Sequence, residues 1–302
     1  MKIFAVIVTY NGMQWIDKCL TSLVDSSVPI LPVVIDNNSQ DGSVDYIRTT
    51  YPSVVLFPQL ENLGFGKANN LGLEYAVKNN ADYVLLLNQD AWILPDTIEK
   101  LLKHTDGKSL LSPIHLNGIG DQLDYNFRKY SILNVENDTR LIDDLILNCY
   151  SSKYEVKTVN AACWLMPIYL LHTIGGFNPL FHHYAEDNNY IQRIHFHRIS
   201  IFIVTNAFIH HDREQYGNIK TFDKNTVYRN LLLLNTDVSN LFRDRLFGNV
   251  KVFLNSFLCL FRADIRGMVQ NFKALLMVLL NYKAIRQSRS IEKRIHNNWL
   301  NK

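Results

Sequence analysis

Four apolar runs in the first third of the chain each end in side chains that can ionise or hydrogen-bond. Thr9-Tyr10-Asn11 follows Ile3–Val8, and Asp36-Asn37-Asn38 follows Pro32–Ile35. Asn62 to Asn70 follows Val54–Phe57, and Asn88-Gln89-Asp90 follows Tyr83–Leu87. Singly, an Asp or Asn after a strand caps a helix or makes a turn. Together the four ends form a polar rim, and open parallel sheets bind ligands beyond the carboxyl ends of their strands. Asp90, at the end of a very apolar run, is placed to hold a hard divalent cation, Mg2+ or Mn2+, which takes oxygen ligands. Such an ion would neutralise a departing diphosphate. Glu186-Asp187 opens a helical stretch, where the dipole favours acids and where a carboxylate could take the proton of an attacking hydroxyl. Among the histidines, His210-His211-Asp212 is the set best placed to return a ligand to the rim, because it follows the strand Ile199–Thr205. The metalloprotease spacing H-E-x-x-H is absent.

The stretch Asn62-Leu63-Gly64-Phe65-Gly66-Lys67-Ala68-Asn69-Asn70 is neither G-x-G-x-x-G nor a Walker sequence. Its glycines could still let a nucleotide approach the backbone, with Lys67 and a helix N-terminus facing phosphate. An ordinary strand-to-helix turn is the equal alternative.

The elements that must hold these residues alternate regularly. Strands are expected at Ile3–Val8, Pro32–Ile35, Val54–Phe57 and Tyr83–Leu87, the first a continuous β-prone run typical of a strand buried on both faces. Helices are expected between them. Trp15, Ile16, Cys19, Leu20 and Leu23 fall at helical spacing, Val44–Tyr51 reads as a short helix, and Lys67–Lys78 as a longer one. Pro95 opens another. This alternation predicts an α/β fold, a mostly parallel sheet with helices on both faces. Residues 116–155 read as a polar insertion, Val156–Met166 as a strand, Gly175–Asn178 as a turn, Glu186–His197 as a helix and Ile199–Thr205 as a strand. From Thr221 onward the pattern is helical, with Val250, Phe253, Phe257, Leu258 and Phe261 on one face and Met268, Phe272, Leu275, Leu276 and Leu279 on another.

The 302 residues are 47% apolar and 20% charged, which excludes disordered and low-complexity classes. A chain of that length buries enough surface to need no disulfide staple, and Cys19, Cys149, Cys163 and Cys259 form no CxxC. The net charge of +3 divides unevenly, with 12 Lys+Arg against 3 Asp+Glu from Arg243 to Lys302. A mildly acidic body therefore carries a basic helical tail, the pattern of a chain that meets a polyanionic surface. No export signal is visible, and no uncharged apolar stretch is long enough to span a bilayer. The expected location is cytoplasmic, with the tail either peripheral on the inner face of an anionic membrane or packed as a helical or dimer element.

Six segments in order resemble one family: VIVTYN (Val6–Asn11), VVIDNNSQDGS (Val33–Ser43), ENLGFGKANNLG (Glu61–Gly72), DYVLLLNQDAWI (Asp82–Ile93), GGFN (Gly175–Asn178) and YAEDNNYIQR (Tyr184–Arg193). The chain resembles the inverting family 2 glycosyltransferases of GT-A fold, a Rossmann-like nucleotide-diphospho-sugar transferase architecture, and within them the bacterial rhamnosyltransferase-like members that build O-antigen and capsule. The resemblance implies a GT-A domain over residues 1–242, with a nucleotide-sugar half at 1–115 and an acceptor half at 116–242, followed by the tail 243–302. It implies that Thr9, Tyr10 and Asn11 meet the nucleotide, that Asp36 bonds a uracil or thymine base, and that Gly66, Lys67 and Asn69 line the nucleotide and diphosphate. Asn88-Gln89-Asp90 stands at the family's D-x-D position, with Asn88 replacing the first acid on the donor side and Asp90 left to bind Mg2+ or Mn2+. His211 is implied as a further metal or diphosphate contact, Asp187 as the catalytic base, and Glu186 as its acceptor-side support. The Q-x-x-R-W sequence of processive relatives is absent, which favours transfer of a single sugar, from a UDP- or dTDP-sugar such as dTDP-rhamnose to a glycan or lipid-linked acceptor.

Two other readings stay open. A sugar nucleotidyltransferase would usually carry a Gly-rich, basic activation loop near its start, which VIVTYNGMQW lacks. A non-catalytic nucleotide-sugar-binding or scaffold protein would not need Asp36, Asp90 and Asp187 together. No nucleic-acid-binding module is recognisable.

Overall fold

A computed structural model describes residues 1–133, 140–212, 225–296 and 298–300. The first half alternates as the apolar runs require. β1 (Ile3–Thr9), α1 (Met13–Val24), β2 (Leu31–Asp36), α2 (Ser43–Thr50), β3 (Val55–Pro58), α3 (Phe65–Lys78) and β4 (Tyr83–Leu87) follow one another. Then come β5 (Ala91–Ile93), α4 (Thr97–Lys103), β6 (Leu110–Asn117), α5 (Tyr125–Phe127) with a π-helical turn over Arg128–Ile132, α6 (Leu141–Ile146), β7 (Lys153–Glu155) and β8 (Cys163–Pro167). The chain continues through α7 (Ile168–Ile174), α8 (Glu186–Phe196), β9 (Ile201–His211), α9 (Thr226–Thr236), α10 (Phe242–Phe261), α11 (Ile265–Leu280) and α12 (Tyr282–Glu292).

The described strands join in one 9-stranded sheet, ordered β3-β2-β1-β4-β8-β6-β9-β5, with β7 also on β9. The order 3-2-1-4 is parallel. Beyond it β8 runs antiparallel to β4 and to β6, and β5 and β7 run antiparallel to β9. β6 and β9 pair in parallel again, so the sheet is mixed, with the expected parallel pairing running through β3-β2-β1-β4 and recurring at β6-β9. Period-two alternation builds a core on each face. Phe4 and Val6 join Val33, Ile35, Trp164, Phe177 and Tyr190 on one side. Ile3, Ala5 and Ile7 join Ile16, Cys19, Leu20, Leu23 and Leu165 on the other. The helical spacing of α1 thus covers the second face as its sequence implies.

Several boundaries differ from the sequence reading. Of the expected strand Val156–Met166 only the end is strand, as β8; β7 precedes the run, and residues 157–162 form a loop between the two. The expected strand Ile199–Thr205 runs on to His211, because its register against β6 shifts between Pro113 and Ile114 and accommodates Thr205, Asn206 and Ala207 as an irregularity. β6 lies in a stretch not read as a strand, where Pro113 interrupts the pattern. The helical reading from Thr221 begins outside the described residues, and α9 starts at Thr226. The four cysteines are free thiols.

The basic C-terminal segment is helical, as expected. Phe253 and Phe257 meet Phe272 edge-on, which fastens α10 to α11. Its last residues return to the body. Leu300 is buried in the core beside the sheet, worth about 2 kcal/mol for such a side chain. Gly176 N–H donates to the Asn298 carbonyl, and the buried Arg193 guanidinium lies 4.8 Å from the Trp299 ring centre. Among the described residues no helix is long and apolar enough to cross a membrane.

Candidate active site

A cavity of about 1330 Å3 opens beyond the carboxyl ends of β1, β2 and β4. Its walls come from Tyr10, Asn37 and Asn88–Asp90 at the strand ends, from Asn62, Gly64 and Phe65 at the start of α3, from the 157–162 loop, from residues 183–192 around the start of α8, and from His211.

The strand ends are braced against each other. Gln89 Oε1 accepts from Thr9 Oγ1 at 2.8 Å and from the Tyr10 N–H at 2.9 Å, tying β1 to β4. Asn11 Oδ1 accepts from the Gln40 N–H, and the Asn11 N–H donates to Ser39 Oγ. Asn37 donates to the Gly64 carbonyl and accepts from the Leu63 N–H, which sets the turn before α3. That turn needs its glycine. Gly64 has φ +78, and a Cβ there would lie 2.0 Å from the His182 carbonyl oxygen.

Asp36 is buried. Its Oδ2 accepts from the Ser39 N–H at 3.0 Å, while Oδ1 has no hydrogen-bond partner among the described residues. A buried carboxylate oxygen left unpaired is costly, so this one is an acceptor suited to a ligand N–H.

Asp90 and His211 meet across the sheet edge because Ala91 of β5 pairs with His211 of β9. Asp90 Oδ1 and His211 Nε2 are 3.3 Å apart, and Asn88 Nδ2 is 3.5 Å from the same nitrogen. On the far side of the ring, His211 Nδ1 is 3.5 Å from Asp124 Oδ2, whose other oxygen accepts from the Phe127 N–H at 2.8 Å. A proton on Nδ1 facing Asp124 leaves the Nε2 lone pair toward Asp90, the arrangement in which a histidine ligates a metal. A carboxylate and an imidazole suit Mn2+ or a similar divalent ion. Among the described residues no three His, Cys, Asp or Glu side chains are gathered for a metal, so an ion held here would complete its shell with ligand oxygens and water.

Glu186 and Asp187 begin α8 after two residues with left-handed backbone, Tyr184 (φ 67) and Ala185 (φ 74). Neither is glycine, so the turn stores strain of the kind found at functional sites. Both residues line the cavity. Glu186 is the more deeply buried, its Oε2 unpartnered among the described residues. Burial pushes its carboxyl up to about 7, with the charge of Asp187 adding to the effect and Arg229 opposing it.

The structure thus brings Tyr10, Asn88, Asp90, Glu186, Asp187 and His211 to one cavity. Thr9, Asn11, Asp36, Gly66, Lys67 and Asn69 do not line it. Thr9 and Asn11 brace the rim from below, and Asn69 is buried with its amide on the Phe65 carbonyl. A Cβ at Gly66 would lie 3.1 Å from Phe177 and 3.6 Å from Glu186, so that glycine lets α3 pack against the start of α8. Lys67 is exposed. The sequence reading placed Asn37 on the polar rim but missed Asp124 and the 157–162 loop. Asp124 lies in the polar stretch read as an insertion, and no local pattern distinguishes it there.

Comparison with known proteins fits this geometry. Residues 4–149 match the sequence model of Glycosyl transferase family 2. Glycosyltransferase GlyA of Streptococcus pneumoniae serotype 4 is 27% identical over 105 residues, 34% of this chain and 15% of that protein. The dTDP-rhamnosyl transferase RfbF of Shigella flexneri is 29% identical over 109 residues, 36% of each chain. The matches therefore span well under half of either relative's length. Among solved structures, S. aureus TarS 1–349 in complex with UDP-GlcNAc aligns over 97% of this chain and 91% of its own, with TM-score 0.59 at 16% identity. GalNAc-T7 with UDP, GalNAc and Mn2+ aligns over 78% of this chain and 48% of its own, with TM-score 0.57 at 14% identity.

Proposed function

From the family 2 glycosyltransferase domain carried by residues 4–149 in a GT-A fold, we propose that this protein is an inverting glycosyltransferase, a hexosyltransferase that moves one sugar from a UDP- or dTDP-sugar to a hydroxyl of a glycan or lipid-linked acceptor. The TarS complex holds UDP-GlcNAc and the Shigella relative is named for dTDP-rhamnose, and O-antigen or capsule assembly is the setting that suits such donors. The observation that carries the reading is the shared cavity, which the Asp90–His211 pair and Asp187 line together.

Each residue then has a task. The unpaired Asp36 oxygen, beneath the cavity rim, accepts from the imide N–H of a pyrimidine base. Tyr10, Asn37 and Asn88 line the path of the nucleotide. Asp90 and His211 would hold Mg2+ or Mn2+, which when bound neutralises the diphosphate. Asp124 holds His211 in orientation. The acceptor hydroxyl attacks the anomeric carbon as the carbon–oxygen bond to the diphosphate breaks, and Asp187 takes the hydroxyl proton. A single displacement inverts the anomeric centre. Residues 1–115 serve the donor and 116–242 the acceptor. The basic helical segment after 242 places the enzyme on the inner face of an anionic membrane, where a lipid-linked acceptor lies.

The test is a screen of nucleotide-sugars by thermal stabilisation, followed by transfer assays. A pyrimidine nucleotide-sugar at about 100 times its Kd should add roughly 2.7 kcal/mol, and Asp36→Ala should abolish most of that. Asp187→Asn should cut kcat by about 10²–10⁴-fold with donor affinity retained. Stabilisation by purine nucleotide-sugars alone would overturn the base assignment, and a near-wild-type kcat for Asp187→Asn would remove it as the base.

A further inference from the structure

A second cavity, of about 310 Å3, lies among the C-terminal helices and shares no lining residue with the first. Its walls include Arg245 from α10 and Tyr282, Arg286, Arg289 and Lys293 from α12 and its end. Positions 286, 289 and 293 fall on one face of a helix, so α12 offers three cations to the same space and Arg245 faces them from across it.

Among the described residues no carboxylate lines the cavity. Among the described residues none of the four cations is ion-paired with a carboxylate. Arg289 is fixed by donating to the carbonyls of Asn235, Asp237 and Asn240. Arg245 Nε is buried with no hydrogen-bond partner among the described residues. The nearby carboxylate of Glu292 is turned into the body, where it accepts from Asn178, Asn189 and Ser288. Burial, and next the charge of Arg245, hold the Arg289 guanidinium below its usual value, while Asp237 and Glu292 pull the other way. Guanidinium forks match the oxygens of phosphate, and a cavity near 300 Å3 is of the size that holds a small ligand.

We propose that this basic cavity is a binding site for a phosphate group, either the headgroup of an anionic lipid or a soluble phosphate ester. The lipid source has support beside the cavity, since α10 and α11 expose Phe247, Leu254, Leu258, Phe261, Leu279 and Leu280, and a bilayer surface would meet both the apolar side chains and the cations. The site does not depend on the sugar-transfer reading, because none of its residues touches the first cavity.

The test uses the full chain and two charge-matched pairs of exposed residues, Arg286→Gln with Lys293→Gln in the cavity, and Lys283→Gln with Arg294→Gln outside it. Titration calorimetry with inorganic pyrophosphate should show a binding component that the cavity pair weakens by about tenfold or more and the outside pair leaves in place. Sedimentation with phosphatidylglycerol vesicles, against phosphatidylcholine vesicles, separates the sources. Loss of vesicle binding in the cavity pair alone identifies the lipid headgroup, and loss of the pyrophosphate component with unchanged vesicle binding identifies a soluble phosphate. Equal weakening by both pairs, or no component sensitive to the cavity pair, would overturn the site. Transfer to a soluble acceptor should be unchanged in both pairs, so a failure here is distinguishable from a failure of the glycosyltransferase reading.

Discussion

Glu186→Gln should stabilise the protein, and more at high pH than at low. The carboxyl is 5% exposed and one of its oxygens has no partner among the described residues. Burial, then the charge of Asp187, moves it from 4.5 to about 7. Between those values the native state holds the proton more tightly than the unfolded chain does. Native stability is therefore full below about pH 4.5 and falls as pH rises through 7. Two and a half pH units at about 1.4 kcal/mol each give a cost near 3 kcal/mol above pH 8, falling to about 1 kcal/mol at pH 5.5. Glutamine keeps the size and carries no charge, so it escapes that cost at every pH. Urea unfolding of both proteins at pH 5.5 and 8.5, with equal m values, measures the difference. A gap that does not widen with pH, or a variant less stable than wild type at pH 8.5, would show that the Glu186 carboxylate is well solvated or paired in the native protein. The same variant should lose less kcat than Asp187→Asn, because Glu186 is the more deeply buried of the two acids.

Two further outcomes follow from the geometry around the rim. Asp124→Asn should lower Mn2+ affinity by about 10–100-fold, as loss of a carboxylate behind a ligating histidine does, and calorimetry with the metal alone reads it; unchanged affinity would mean that Asp124 does not orient His211. Gly64→Ala should destabilise the protein by at least about 1 kcal/mol, since its backbone is left-handed and the added methyl would press on the His182 carbonyl; a melting temperature equal to wild type would show that the 182–185 turn yields freely.

The parts of this protein legible in its sequence are those where the pattern is local. The continuous apolar runs of β1 and β4 could only be buried strands, the 3.6-residue spacing of Ile16, Cys19, Leu20 and Leu23 specified α1, and the polar ends of four strands marked the rim of the site. Asp187 and Asp90, which line the cavity, could be singled out because each sits at the end of such a local element. What the tertiary structure alone decided depends on pairings between distant segments. The irregularity at Thr205–Ala207 lets β9 run on from Thr205, its expected end, to His211, and only then does His211 stand beside Asp90. Asp124 gains a role because β9 lies next to β6, whose following turn places it against the ring. The 157–162 loop faces the cavity because β8 turns antiparallel on β4, and hydrophobicity of the 156–166 run gives no sign that its strand begins only at Cys163. Leu300 enters the core only through the contacts of Asn298 and Trp299 with the Gly176–Arg193 region. Side-chain periodicity records which face of an element is buried, but carries no record of which remote element covers it, and that choice is made by packing in three dimensions.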